Sequence, residues 1–161
     1  MQLAIATNAV MRDCEGLGQL VGLRALHITK CGRLRDVAAL SSLVDLRTLH
    51  LTSCEVRAGS LACSLAAMSR LRSLNLAGTH LSEAGAASLA PSLALMSQLT
   101  SLNLRINGIG AAGAASLAPS LALMAQLTSL DLGGNYMGAA GAAALAPSLA
   151  QMVHLRRVFT E

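Results

Sequence analysis

The chain has 161 residues, of which 53% are hydrophobic, and its 12 basic and 8 acidic side chains give a formal net charge of +4. This is enough apolar material for one domain with a sizeable core, so we expect a single domain over residues 1–161. A nucleic-acid interface is not predicted, because the basic residues are scattered and the aromatic residues that stack on bases make up only 1% of the sequence.

Membrane and export signals are not predicted either. The uncharged spans 84–104, 106–130 and 132–153 have the length of membrane helices, but Gly, Pro and polar residues interrupt them and alanine supplies much of their apolar content. The four cysteines match neither zinc-site nor redox-pair spacing, and no basic segment precedes the first apolar run. We therefore expect no membrane association and an intracellular, cytoplasmic location.

An L-x-x-L-x-L pattern recurs through the chain at steps of 23, 23, 25, 28, 28 and 28 residues. Alternating apolar positions are typical of strands with one buried face, and recurrence at a regular period is typical of stacked repeats. We predict seven strands that begin near residues 2, 24, 47, 72, 100, 128 and 156, in about six complete repeats plus a terminal strand. The second leucine position is occupied by Leu3, Leu26, Leu49, Leu74, Leu102, Leu130 and Val158.

A small polar residue or a cysteine follows each of the first six strands, where the chain must turn sharply. A buried side chain at this point has to bond backbone groups of the turn, which asparagine does best and threonine or cysteine does in part. We therefore interpret Cys31 and Cys54 as turn residues rather than as a disulfide or reactive thiols. The position reads Asn8, Cys31, Cys54, Thr79, Asn107 and Asn135.

An alanine-rich run follows each turn of the longer repeats. Leu89, Leu93 and Met96 recur at helical spacing, which predicts a helix with these residues on its inner face. Each run also contains a proline in the sequence L-A-P-S-L, first at Pro91. A proline inside a helix removes a hydrogen bond and clashes with the preceding turn, so we expect the helix to kink or restart there.

The longer repeats resemble the ribonuclease-inhibitor-like class of leucine-rich repeats. The pattern N-x-I-G-x-x-G-A-x-x-L-A-x-x-L fits residues 107–121, and it fits residues 135–149 with Met137 in the third place. The earlier repeats resemble the cysteine-containing class through Cys31 and Cys54. This resemblance implies an α/β solenoid with a curved parallel β-sheet on the concave face, helices on the convex face, and a role in protein–protein interaction.

Two patterns that are typical of other chemistry have simpler explanations. Residues 108–113 read G-x-G-x-x-G and are followed by Asp131, as in a dinucleotide-binding turn, but the same residues belong to the repeat's own strand-to-helix turn, so no cofactor is predicted. His27 and His50 should lie about 5 Å apart on adjacent strands. A third ligand is missing because Asn75 and Asn103 follow in that row, so neither a metal site nor, in the absence of other catalytic motifs, an enzyme is predicted.

The residues between the leucines should line the concave face and bind a partner. Repeats that are otherwise nearly identical differ there, at Asn103/Asp131 and at Arg105, while the alternative is an ordinary solvated surface. Arg105, Tyr136 and Phe159 are the expected anchors, since aromatic and arginine side chains dominate interface energies. The candidate partner-binding residues are His27, Thr29, His50, Thr52, Asn75, Asn103, Arg105, Asp131, Tyr136 and Phe159.

A column of arginines precedes several strands, at Arg24, Arg47, Arg72 and Arg156, and is interrupted by threonines. It would suit an acidic protein segment, and an ordinary solvated rim remains the alternative. Both ends of the repeat array lack polar caps, so we expect either a fragment of a longer array or self-association through the terminal strands.

We predict a non-enzymatic scaffold that binds a protein partner through its concave face, and the sequence does not name that partner. The alternative is a regulatory module linked to an enzyme. It would be part of a ubiquitin-ligase substrate receptor, or a repeat protein similar to GTPase-activating proteins that uses Arg105 or Asn107 as an exposed orienting residue.

Overall fold

The computed structural model describes residues 1–6 and 10–160. Seven parallel strands form one sheet in chain order, each paired with its sequence neighbours. The strands are β1 (Gln2–Ala6), β2 (Ala25–Thr29), β3 (Thr48–Thr52), β4 (Ser73–Asn75), β5 (Ser101–Asn103), β6 (Ser129–Asp131) and β7 (Arg157–Phe159). The α-helices are α1 (Ala58–Ala66), α2 (Ser82–Ala94), α3 (Gly110–Ala122) and α4 (Gly138–Gln151).

This alternation of parallel strands with helices confirms the predicted α/β solenoid. Each strand begins at the residue expected from the repeat spacing or one residue later. Within the described part of the chain β1 and β7 form the two edges of the sheet. No helix in the described residues is long and apolar enough to cross a membrane.

Repeat length sets the kind of helix that connects the strands. The two 23-residue repeats have room only for 3₁₀ helices of five residues, Glu15–Gln19 and Ala38–Ser42. The 25-residue repeat forms the nine-residue α1, and the 28-residue repeats form helices of 13 or 14 residues. The extra residues of the longer repeats therefore form additional helical turns.

The core is a stack of leucine layers between the sheet and the helices. In β5, Leu102 is buried while Ser101 and Asn103 on either side are half-exposed, as the alternation of side chains along a strand requires. Leu89 and Leu93 are buried on the predicted inner face of α2, and Met96 is buried two residues after the helix ends.

Neighbouring helices approach closely at glycines. A Cβ atom on Gly113 would lie 3.1 Å from the Cβ of Ala86 and 3.2 Å from the Cα of Glu83, closer than ordinary van der Waals contact. This explains why α3 carries a glycine in its interior in spite of its low helix propensity.

Of the two expectations for the proline, a restart of the helix is wrong, because α2 continues through Pro91 to Ala94, and a kink stays a prediction. The serines after the first two of these prolines hold neighbouring helices together. Ser92 Oγ donates to the Ala62 carbonyl at 2.8 Å, and Ser120 Oγ donates to the Ala90 carbonyl at 2.7 Å. Both hydroxyls lie inside the helical layer, where they satisfy carbonyls of the preceding helix.

The asparagine position works as the sequence predicts. Asn107 Oδ1 accepts hydrogen bonds from the N–H of Thr79 at 2.9 Å and of Leu81 at 3.3 Å, and its Nδ2 donates to the carbonyls of Leu76 and Leu104. One side chain thus ties two successive turns together. Asn135 repeats the arrangement one turn further on, whereas Asn8 lies outside the described residues.

Candidate functional site

The central row of the sheet face is continuous from one strand to the next. Strand pairing aligns each of its members directly with the next, so their side chains stand beside one another on the side of the sheet that faces away from the core. All of them are partly or fully exposed. The row reads Ala4, His27, His50, Asn75, Asn103, Asp131 and Phe159.

The polar members of this row are less free than their exposure indicates. Asn75 Oδ1 accepts a hydrogen bond from the N–H of Ala77 at 3.0 Å. Asn103 and Asp131 accept the same bond from the residue two positions on, each at 2.9 Å. These residues therefore close the ends of their own strands, a local role that sequence reasoning missed although side chains of this type commonly bond the backbone two residues on.

The exchange of Asn103 for Asp131 keeps this turn and changes only the atom that is left over. An Asn amide nitrogen becomes a second carboxylate oxygen, so the row gains one negative charge at β6. This charge is the chemical difference between the two positions.

His27 and His50 lie edge to face, with their ring centroids 4.4 Å apart and their planes at 77°. Nε2 of His50 is 3.2 Å from Ser73 Oγ on the next strand. Burial lowers the pKa of His50 below its ordinary value, and the positive charge of His27 lowers it further. Among the described residues no group of three His, Cys, Asp or Glu is placed to hold a metal ion.

Thr29 and Thr52 end β2 and β3 on the same face as the two histidines. They are register partners and both are half-exposed. Together with His27 and His50 they form a small polar area at the N-terminal half of the sheet.

A second cluster, which we call the turn patch, consists of Arg105, Ile106 and Tyr136 on the turns that follow β5 and β6. All three side chains are exposed, and Tyr136 is 91% exposed. Ile106 extends toward Gly134 on the next turn, where an added Cβ atom would lie 3.0 Å from its Cγ1. Ile106 was not predicted from the sequence, since it occupies a turn position where its neighbours carry glycine.

The backbone of the turn patch is strained. Ile106 has φ = 52° and Tyr136 has φ = 55°, the left-handed region that disfavours residues with a Cβ atom and β-branched residues above all. The residue that corresponds to Tyr136 in the preceding repeat is Gly108, with φ = 66°. A glycine would therefore satisfy this backbone without strain.

Phe159 is the aromatic residue nearest the end of the row. It pairs in register with Asp131 and is 53% exposed. The adjoining Val158 is also exposed, so β7 presents apolar side chains on both of its faces.

The helical side of the solenoid offers little to a partner by comparison. In α3 the exposed residues are Ala112, Ala115 and Pro119. Small side chains of this kind supply few interface anchors. The large exposed side chains of the second half of the chain thus lie on the strands, on the turns and at the helix ends rather than along the helix surface.

Asn107 is not available for an orienting role on bound nucleotide or enzyme. Asn107 is only 3% exposed, and both polar atoms of its side chain are hydrogen-bonded to backbone groups of the turns. Of the two residues considered for that role, only Arg105 is exposed.

The glycine motif also has a structural explanation at each position. Gly108 and Gly110 have φ values of 66° and 61°, and Gly113 allows the close helix contact described above.

The cysteines are free thiols, and Cys14, Cys31 and Cys54 are buried while Cys63 is exposed. Burial raises the pKa of Cys14 to about 12 and that of Cys54 to about 11. Cys54 Sγ lies 3.5 Å from the Thr52 carbonyl and 3.7 Å from the Ile28 carbonyl, as a turn residue should. With these raised pKa values both thiols are protonated near neutral pH. Neither is therefore a nucleophile, because only the thiolate reacts.

This solenoid of strand, sharp turn and helix, with its leucine layers and asparagine-bonded turns, defines a stacked-repeat protein. Residues 68–90, 97–118 and 126–146 match the family model described as Leucine Rich repeat. These segments are leucine-rich repeats, and the chain has the α/β leucine-rich-repeat fold. The ribonuclease-inhibitor-like and cysteine-containing subclasses remain predictions.

No curated protein matches the chain in sequence. Among solved structures, the chain is similar to an internalin, inlF, from Listeria monocytogenes, at 19% identity and a TM-score of 0.37. The match covers 98% of this chain and 60% of that chain, so this chain spans less than two thirds of the internalin.

Proposed function

We propose that this chain is a non-enzymatic scaffold that binds a protein partner through the outward face of its sheet and the adjoining turn patch. The observation that carries this proposal is the grouping of large exposed side chains on that side of the molecule. Arg105 follows β5, Tyr136 follows β6 and Phe159 ends β7. The surface of α3, by contrast, exposes only small residues. The partner's identity is left open.

The exposed aromatic side chain of Tyr136 supports a role in binding. A tyrosine at φ = 55° is less stable there than the glycine of the preceding repeat, and its side chain is 91% exposed, so it gains little packing in return. The equivalent His80 has φ = 57°, so the left-handed backbone belongs to the turn of the repeat, and the large exposed aromatic side chain is what distinguishes Tyr136. Tyrosine also brings a large rigid surface to an interface at low cost in conformational entropy.

Photo-crosslinking tests which face the partner contacts. A photoreactive phenylalanine analogue replaces Tyr136 in one variant and Ala112, exposed on α3, in a matched control. Irradiation in an extract of the source cells should join the Tyr136 variant to a discrete protein and leave the control unlinked. Equal crosslinking from both positions, or crosslinking from Ala112 alone, would contradict the proposed face.

Affinity capture then tests the anchors themselves. The protein that crosslinks at Tyr136 should be captured by the wild type and lost with Arg105→Ala/Tyr136→Ala. Truncation of each anchor is expected to cost roughly 1 to 3 kcal/mol of binding free energy. Arg33→Ala/His154→Ala, which removes two exposed side chains elsewhere, serves as the control and should capture the partner as the wild type does.

We also propose an intracellular location. The four cysteines are free thiols, three of them buried, and none is joined in a disulfide. This suits a reducing compartment. Imaging of a fluorescently tagged full-length protein in the source cells tests this, and a secreted or surface signal would contradict it.

A further inference from the structure

A second surface lies at the end of the sheet where the strands begin, opposite the end that carries the turn patch. Three arginines each immediately precede a strand: Arg24 precedes β2, Arg47 precedes β3 and Arg72 precedes β4. The N–H of Arg47 donates to the Arg24 carbonyl at 2.8 Å, and the N–H of Arg72 donates to the Arg47 carbonyl at 2.8 Å. The three arginines therefore occupy successive strands, about 5 Å apart, and all are exposed.

A groove of about 250 Å³ opens beside two of these side chains and is lined by Arg47, Arg70, Arg72 and Gln98. We call it the arginine groove. Arg70 pairs with Asp45, which neutralises it. The other ion pair within the described residues joins Arg35 to Glu55, so Arg47 and Arg72 supply two uncompensated positive charges to the groove.

The positive charge ends sharply at Arg72. On the next strand the same position is Thr100, whose Oγ1 donates to the Arg72 carbonyl at 2.9 Å and so lies against the sheet edge. An adjoining groove of about 500 Å³ continues past Thr100 along Ser97, Gln98 and Gln126, which are polar and uncharged. A ligand that follows both grooves meets cations at one end and neutral donors and acceptors at the other.

We propose that the arginine groove binds an acidic segment of a partner protein. Guanidinium groups bind carboxylates through paired hydrogen bonds, and the interaction gains from two unneutralised charges that face one groove. The distance from Arg47 to Arg72 is one strand spacing, about 5 Å, so two residues of extended chain span the two unneutralised charges. The groove and the turn patch lie at opposite ends of the strands, so this proposal does not depend on the proposed function.

Fluorescence anisotropy with labelled peptides tests the proposal on the full chain. Hexaglutamate is the probe and hexaglutamine is the uncharged comparison. The wild type should bind hexaglutamate in a salt-dependent manner and should not bind hexaglutamine. Arg47→Gln/Arg72→Gln should weaken hexaglutamate binding about tenfold or more.

The matched control removes the same charge elsewhere. Arg33→Gln/Arg57→Gln lowers the net charge by the same amount at exposed positions outside the groove, and it should change the affinity about twofold or less. Equal weakening by both double variants would assign the binding to overall charge and overturn the proposal. Binding of hexaglutamate by neither the wild type nor the control would overturn it as well.

Two further measurements keep the test decisive. Arg47→Lys/Arg72→Lys keeps both charges but removes the paired donors, so it should bind hexaglutamate less tightly than the wild type and more tightly than the glutamine variant. It also replaces the glutamine variant if circular dichroism shows that the latter is unfolded. A labelled oligothymidylate that binds more tightly than hexaglutamate would overturn the proposal and assign the groove to nucleic acid.

Discussion

Replacing Asn107 with alanine should destabilise the fold strongly, because one buried side chain serves two turns. The substitution leaves the N–H groups of Thr79 and Leu81 without their acceptor. The carbonyls of Leu76 and Leu104 each keep another donor, from Thr79 Oγ1 and from Asn135 Nδ2. Two orphaned buried donors at about 1 to 3 kcal/mol each predict a loss of about 2 to 6 kcal/mol in the free energy of unfolding.

Urea denaturation followed by circular dichroism measures this loss, with Asn103→Ala as the matched control. Asn103 makes one hydrogen bond, to the N–H of Arg105, at an exposed turn, so its removal should cost only about 0.5 to 1.5 kcal/mol. If Asn107→Ala cost no more than Asn103→Ala, the asparagine ladder would not be what joins the turns, and the reasoning would be refuted.

Three further predictions each concern one position: Gly134, His50 or Tyr136. Gly134→Ala should lower the free energy of unfolding by about 1 to 2 kcal/mol, since φ is 68° and the new Cβ would press on Ile106; an unchanged urea midpoint would contradict this. The folded state disfavours protonation of His50, so it binds fewer protons than the unfolded state, and stability should fall as pH drops below about 6.5. His27→Gln should reduce that fall in pH-dependent denaturation, and an identical pH profile would exclude the contribution of His27. Tyr136→Gly should leave the unfolding free energy unchanged or higher while weakening partner capture; a loss of stability would show that tyrosine serves the fold.

The sequence was sufficient to predict the strands, the turn position and the face of each side chain. A period of two along a strand and a constant step between repeats determine which residues point inward, and Leu102 between Ser101 and Asn103 is one instance. Asparagine after the strand predicted a buried, hydrogen-bonded side chain, because its short amide side chain both donates to and accepts from backbone groups.

What periodicity does not reveal is which atom bonds to which. Asn103 is on the predicted face, yet its Oδ1 bonds the N–H of Arg105, a local alternative that the pattern of leucines does not distinguish from an open surface. Ser92 looks like a polar interruption of a helix, and only the neighbouring helix shows why it is buried. The recurrence of serine after each proline at the same step was the available signal for this second ladder.

The two candidate surfaces lie at opposite ends of the strands, and this separation makes them experimentally independent. The groove arginines precede β3 and β4 and the turn patch follows β5 and β6, so the two surfaces differ by about five residues of extended chain, or roughly 16 Å, along the strand direction. Substitutions this far apart with no shared contacts usually have additive effects. Combining Arg72→Gln with Tyr136→Ala therefore distinguishes two cases. A single partner that spans the sheet should lose the sum of both binding free energies, whereas two partners should each lose only the contribution of the surface that they contact.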